Sequence, residues 1–188
     1  VIAAGLSERM GSFKPLNKFN GETYLDSIIK KLSNHCSEII VVTGFNASLI
    51  EELIRNNPVD RNIKIIYNPG YEKGMFTSLK KGISECGNCE SILYHFVDQP
   101  FLPDNFYKEF INEYEPGIDW LQPFYSGRGG HPLLLSRNAV NAVLNEDDNS
   151  NLRNIKAKND IIKKEWHCSF EGVLADFDTP DDVEKYGK

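Results

Sequence analysis

Short β-branched runs alternate with amphipathic stretches through the first two thirds of this 188-residue chain, and that rhythm restricts the fold more than any other feature. Ile39-Ile40-Val41-Val42 follows a polar break and reads as a buried strand; Ile63–Tyr67 and Ile92–Val97 read the same way. Val1-Ile2-Ala3-Ala4 reads as a strand already under way, so the numbering is expected to start inside a longer protein. Between these runs, Leu25, Ile28, Ile29 and Leu32 recur on one helical face. Leu49, Ile50, Leu53 and Ile54 repeat the pattern, as do Met75, Leu79 and Ile83, and then Phe106, Phe110 and Ile111 after Pro103. Strands alternating with helices imply βαβ units and a mostly parallel sheet covered on both faces, an α/β fold. The last third is less regular. Trp120–Tyr125 predicts a strand, followed by turn-rich Ser126–Gly130 and apolar Pro132–Leu135. Val140, Val143 and Leu144 mark a short helix, Asn145–Asn151 a loop, and Leu152 and Ile155 a further helix leading to Ile162. Trp166 and Val173-Leu174 are strand candidates, and Thr179-Pro180-Asp181-Asp182 has the N-cap, N1 proline and early acids of a helix start. No repeat or linker divides residues 1–188, so one domain is expected.

Composition removes several classes. With 40% hydrophobic and 26% charged residues the chain is neither disordered nor coiled-coil-like. A net charge of −6 makes nucleic acid a poor main partner, while leaving room for a local cationic pocket. No apolar run approaches the roughly 18 residues needed to span a bilayer, and no charged leader with an apolar stretch opens the sequence, so a cytoplasmic location is expected. Cys86-Gly87-Asn88-Cys89 is a lone C-x-x-C with no second ligand pair for zinc. It falls between a helix and a strand rather than at a helix start, which favours two reduced loop thiols over a redox pair.

Ligands of an open parallel sheet bind at the carboxyl ends of its strands. After the first strand, Ala4–Pro15 carries Gly5 and Gly11, whose backbone N–H groups can approach phosphate, with Arg9 and Lys14 adding charge. The spacing fits neither G-x-x-x-x-G-K-[ST] nor G-x-G-x-x-G, and an ordinary βα loop fits the composition equally well. After Val97 comes Asp98-Gln99-Pro100, an acid at a strand tip in a proline-stiffened loop; it suits Mg2+, or a simple turn cap. Asp176 and Asp178 share one face if extended, giving a second carboxylate, or they are acids gathered at a helix start. Asn68–Met75 is either a plain turn or, with Gly74 and Ser78, the wall of a flat pocket. Gly127–Pro132 adds a cationic arm, Arg128, and an imidazole, His131, to a glycine-rich tip.

In that order these segments resemble the MobA-like nucleotidyltransferases. Ala3-Ala4-Gly5-Leu6-Ser7-Glu8-Arg9-Met10-Gly11-Ser12-Phe13-Lys14 is similar to the A-A-G-x-S-x-R-M-G-x-x-K signature, and Asp98-Gln99-Pro100 to the D-x-P metal motif. Asn68–Leu79, Gly127–Pro132 and Asp176–Asp182 resemble the molybdenum cofactor cytidylyltransferase branch. The likeness runs from Val1 to about Val183. It departs at Val97, where the family commonly has Gly, and at Asp147–Arg153, which lacks two glycines of the branch.

The resemblance implies a three-layer α/β/α Rossmann-like fold of the nucleotide-diphospho-sugar-transferase type. It implies transfer of a nucleoside monophosphate from an NTP to a phosphate-bearing acceptor, with release of pyrophosphate. Gln99 implies CTP rather than GTP, and the branch implies a molybdopterin acceptor and a molybdenum hydroxylase as user of the product. Arg9, Lys14 and Asp98 are then the catalytic residues, and Ala3, Ala4, Gly5, Gly11, Lys14, Gly74 and Ser78 hold the nucleotide. Arg128, His131 and Arg153 face the acceptor, and Asp98 and Asp178 hold Mg2+, with Asp176 competing as second ligand. A GTP-using enzyme, a sugar-phosphate nucleotidyltransferase and a non-catalytic cofactor chaperone are the alternatives.

Overall fold

The computed structural model describes residues 1–7, 10–19, 21–56, 62–177 and 182. β1 (Ile2–Ala3) leads into a loop with a 3-10 turn at Lys14–Leu16, then a small hairpin of β2 (Lys18–Phe19) and β3 (Glu22–Thr23). α1 (Tyr24–Leu32) follows, then β4 (Ile39–Thr43), α2 (Ala47–Asn56), β5 (Ile63–Tyr67), α3 (Met75–Ser84), β6 (Ser91–Tyr94) and α4 (Asp104–Asn112). The chain continues through β7 (Trp120–Tyr125), β8 (Arg128–Gly129), β9 (Leu133–Ser136), α5 (Arg137–Leu144), α6 (Leu152–Lys156) and β10 (Lys163–His167). Local chemistry explains the helix starts. Thr23 Oγ1 accepts the Asp26 N–H, Ser136 Oγ those of Asn138 and Ala139, and Asn151 Oδ1 that of Asn154.

β5, β4 and β1 pair in parallel, and Ile2 joins them to the extension of β6: the Ile2 N–H donates to His95 O at 2.9 Å and the Val97 N–H to Ile2 O at 3.2 Å. The sheet therefore runs β5-β4-β1-β6-β9-β7-β10. β9 runs against both neighbours, while β10 is parallel to β7. Side chains alternate between two cores, as the strand period requires. Ile39, Val41, Leu121 and Leu134 face α1, α2 and α4. Trp120, Leu133 and Leu135 face α3, α5 and α6. The result is the expected three-layer α/β/α arrangement with a mostly parallel sheet.

A smaller aromatic core forms at the carboxyl ends of the strands. Met10, Tyr24, Ala175 and Phe177 are buried there with Phe19 and Phe101 beside them. Phe101 sits 4.4 Å from Phe19 and 4.3 Å from Phe177, ring centre to ring centre. This cluster ties the first loop, the β2–β3 hairpin and the last described segment to the loop that follows β6.

One expectation changes. Val173-Leu174 is not a strand but part of a 3-10 turn over Glu171–Leu174. Its Val173 carbonyl bonds the His131 N–H at 2.9 Å instead of a ladder partner. A Cβ on Gly130 would lie 2.3 Å from that oxygen, so only glycine permits the approach. Ser126–Gly130 is a tight hairpin, with β8 returning along β7 and both Ser126 and Gly127 at positive φ, the primed-turn pattern that suits strand twist. Of the helix start expected at 179–182, residues 179–181 lie outside the described residues.

Candidate active site

The loop after β1 folds back rather than running on. Ser7 stands at φ 57°, its carbonyl accepts the Met10 N–H at 3.2 Å and its hydroxyl accepts the Lys14 N–H at 3.2 Å. Buried Met10 anchors the bend in the aromatic core. Lys14 then enters the 3-10 turn ahead of Pro15 and points inward: it is only 8% exposed, and its Nζ lies 3.8 Å from Asp98 Oδ2. A lysine that buried needs a carboxylate partner, and Asp98 supplies one.

Asp98 is aimed by the end of β6. There the chain leaves β9 and crosses to pair with β1. His95, fully buried, fixes that crossing. Its Nδ1 lies 2.7 Å from Phe96 O and its Nε2 2.8 Å from the Tyr107 hydroxyl. A carbonyl only accepts, so Nδ1 carries the proton and Nε2 accepts from tyrosine. Burial pushes His95 down to about 3, which keeps it neutral. Burial, with Asp98's charge adding to it, raises the Tyr94 phenol and keeps it protonated. On the far side of Asp98, the Phe177 N–H donates to the Asp98 carbonyl at 3.0 Å.

The lysine and the aspartate open onto a cavity of about 390 Å3 at the carboxyl ends of β1 and β6. The start of α3 forms another wall. Asn68, buried, donates to Thr77 Oγ1 at 3.1 Å and Ser78 Oγ at 2.9 Å and accepts the Gly70 N–H at 2.9 Å, which fixes the α3 N-terminus at the cavity. Gly74, at φ 112°, begins that helix without a side-chain cap, so its first N–H groups and dipole face the cavity as a ready anion site. Leu6 and Met75, both lining the cavity, are exposed apolar side chains at its rim. A larger cavity of about 670 Å3 lies at the amino ends of the strands; its described lining includes Ile39, Ile40, Ile92 and Leu93 and no lysine or arginine. Only the smaller one combines cation, carboxylate and helix N-terminus.

The structure gathers many of the expected residues there. Ala3, Ala4, Gly5, Lys14, Gly74, Ser78 and Asp98 all line the cavity. Gly11 does not; it is exposed at φ 67°, where it turns the loop. Arg9 and Asp178 lie outside the described residues. The three acceptor candidates do not line the cavity either. Arg128 is exposed on the β7–β8 hairpin and Arg153 is exposed on α6. The His131 ring is turned into the protein, 4.6 Å from Phe96, and burial pushes it down to about 4. It is neutral packing behind the cavity wall rather than an anion-binding imidazolium. Tyr71 and Glu72, from the segment Asn68–Met75, line the cavity as well; sequence reasoning missed Phe96, which also lines it, and Gly44, where a Cβ would sit 2.6 Å from Tyr71 and 2.8 Å from Ala4 O. Burial, and Cys89 beside it, push the Cys86 thiol up to about 11, so Cys86 stays a thiol near neutral pH. Among the described residues no group of three or more metal-ligating side chains exists.

The doubly covered, mostly parallel sheet brings a glycine turn, an inward lysine and a strand-tip aspartate together at its carboxyl edge. Residues 1–162 match the MobA-like NTP transferase domain, and the chain belongs to that family. It is 32% identical over 182 residues to the molybdenum cofactor cytidylyltransferase of Escherichia coli, covering 97% of this chain and 91% of that one. Its fold is similar to that of a nucleotidyl transferase from Methanothermobacter, with a TM-score of 0.79 at 21% identity over 98% of this chain and 92% of the other. It is also similar to molybdopterin-guanine dinucleotide biosynthesis protein A from Archaeoglobus fulgidus, with a TM-score of 0.69 at 15% identity over 99% and 92%.

Proposed function

We propose that this enzyme transfers CMP from CTP to the phosphate of molybdopterin or the molybdenum cofactor and releases pyrophosphate. The observation that carries the transfer chemistry is the convergence of Lys14 and Asp98, 3.8 Å apart, in a cavity walled by a helix N-terminus. The choice of CTP and of a molybdopterin acceptor rests on the likeness to the Escherichia coli cytidylyltransferase.

The triphosphate lies across the loop from Ala3 to Gly5 and the α3 N-terminus, where backbone N–H groups accept its charge. The cytosine takes the apolar rim of Leu6 and Met75. Lys14 holds the departing phosphates and offsets charge as pyrophosphate leaves, with Arg9 alongside. A phosphate monoester has a second pKa of roughly 6, so the acceptor oxygen is ionised near neutral pH and needs no strong protein base. It attacks the α-phosphorus in line, and the chain's contribution is positioning and charge neutralisation.

The residues fit Mg2+. Asp98 presents a hard oxygen donor beside a cation in a phosphate-sized cavity, and magnesium typically takes one or two carboxylates plus substrate phosphates rather than an all-protein cage. Asp98 would hold the ion, with Asp178 as the expected second ligand and Asp176 as its competitor; bound there, Mg2+ would supply charge neutralisation on the phosphates. The acceptor lies on the side of β9 and β7, near the Arg128 hairpin. The product would serve a molybdenum hydroxylase.

One assay tests the assignment: each NTP, with and without molybdopterin, scored by pyrophosphate release. CTP with molybdopterin is expected to give the fastest release. GTP as the better donor would move the enzyme to the guanylyl branch, and release with a sugar 1-phosphate in place of molybdopterin would overturn the acceptor.

A further inference from the structure

Gln99 follows the strand-tip aspartate, and its side chain turns away from the cavity. It is 2% exposed and is not among the cavity-lining residues. Its Nε2 donates to Val173 O at 3.3 Å and to Asp176 Oδ1 at 3.1 Å. Both partners are acceptors, which fixes the nitrogen end of the carboxamide. Its Oε1 is buried without a hydrogen-bond partner among the described residues, an arrangement that costs stability and calls for a reason. The main chain runs the same way: the Phe177 N–H donates to the Asp98 carbonyl, and buried Phe177 packs on Phe101 of the Asp98 loop. The loop that carries Asp98 and the acidic segment around Asp176 are thus joined at three adjacent points.

We propose that Gln99 is a positioning residue that clasps the Asp176 carboxylate and so holds the Asp98 loop against residues 173–177, which keeps the Asp98 carboxylate aimed at the metal. It does this without touching the nucleotide base. The inference rests on the metal reading above, and it assigns Asp176 the part of a handle rather than that of a ligand. A side chain of this length with a terminal donor is required. Methionine keeps the volume and loses the donor, whereas glutamate keeps the shape and sets a like charge against Asp176.

The test is Mn2+ binding to the purified protein with CTP present, followed by electron paramagnetic resonance, alongside the ratio of CTP to GTP turnover. Gln99→Met is expected to weaken Mn2+ binding about 10–100-fold, the usual effect of losing a group that orients a ligand. The CTP to GTP ratio should not change. Asp176→Ala, at an exposed position that does not threaten the fold, is expected to give the same loss, and the double variant no more than either single one. Gln99→Glu is expected to be at least as poor as Gln99→Met. Unchanged Mn2+ affinity in Gln99→Met, an altered CTP to GTP ratio, or additive losses in the double variant would overturn the clasp while leaving the metal reading in place. Wild-type protein that binds no Mn2+ would overturn both.

Discussion

Lys14 and Asp98 were visible in the sequence as motif positions, as were Ser7 and Met10, but what gives them meaning is their approach, and that depends on how the loop folds and on His95, which belongs to no motif. Ser7 turns the loop, Met10 anchors it, and His95 bends the strand end. Phe96 and Gly44 escaped notice because their roles come from what folds over them; Gly44 after a strand end is unremarkable until Tyr71 arrives within 2.6 Å of its missing Cβ. His131 was legible as an unusual residue but not as a buried one. His95 and His131 share a consequence. Burial lowers both, to about 3 and about 4, so between those values and the unfolded value near 6.5 the unfolded chain binds protons the folded chain does not. Stability is therefore fully present above about pH 6.5 and falls as pH drops below it. Denaturant titrations at pH 7 and pH 5 are expected to differ by about 2 kcal/mol for each histidine. His131→Gln should remove its share of that difference; a variant with the full wild-type pH dependence would show that His131 is not held neutral.

At the scale of elements, periodicity located α1 to α6 and the principal strands because each buries one face or both against the layers beside it. Pairing direction was less legible. The run Leu133–Leu135 would serve a parallel strand equally well, and only the short β8 hairpin ahead of it makes β9 run against its neighbours. Val173-Leu174 was misread because apolar β-branched composition says nothing about a carbonyl claimed by His131. Residues 175–177, which follow, have no regular structure and depend on an aromatic anchor. Phe177 is 1% exposed among Tyr24, Phe101 and Met10. Phe177→Ala is expected to cost about 3–5 kcal/mol of stability. Because it also frees the segment from Asp98, turnover should fall at temperatures where the variant remains folded by circular dichroism. A variant that loses stability but keeps wild-type kcat would show that the anchor serves the fold alone.

For the whole molecule, an acidic chain with a net charge of −6 concentrates cation and helix dipole at one edge of its sheet. Helices pack on both faces of the sheet, so β1 and β6 are held between two cores below the edge where Lys14 and Asp98 meet. Most residues expected at the nucleotide line one cavity because they come from contiguous loops after β1 and before α3. Those expected at the acceptor do not. Arg128, His131 and Arg153 come from separate elements, and sequence order carries no information on whether their side chains meet; the structure keeps all three off the cavity. The central claim is that Lys14 and Asp98 act together on a magnesium-bound triphosphate. Magnesium-dependent pyrophosphate release from CTP, compared among wild type, Lys14→Ala and Asp98→Ala at saturating acceptor, tests it most directly. Each variant is expected to lose at least about 10²–10³-fold in rate with its fold intact. Release that stays within a few-fold of wild type in either one would contradict the account.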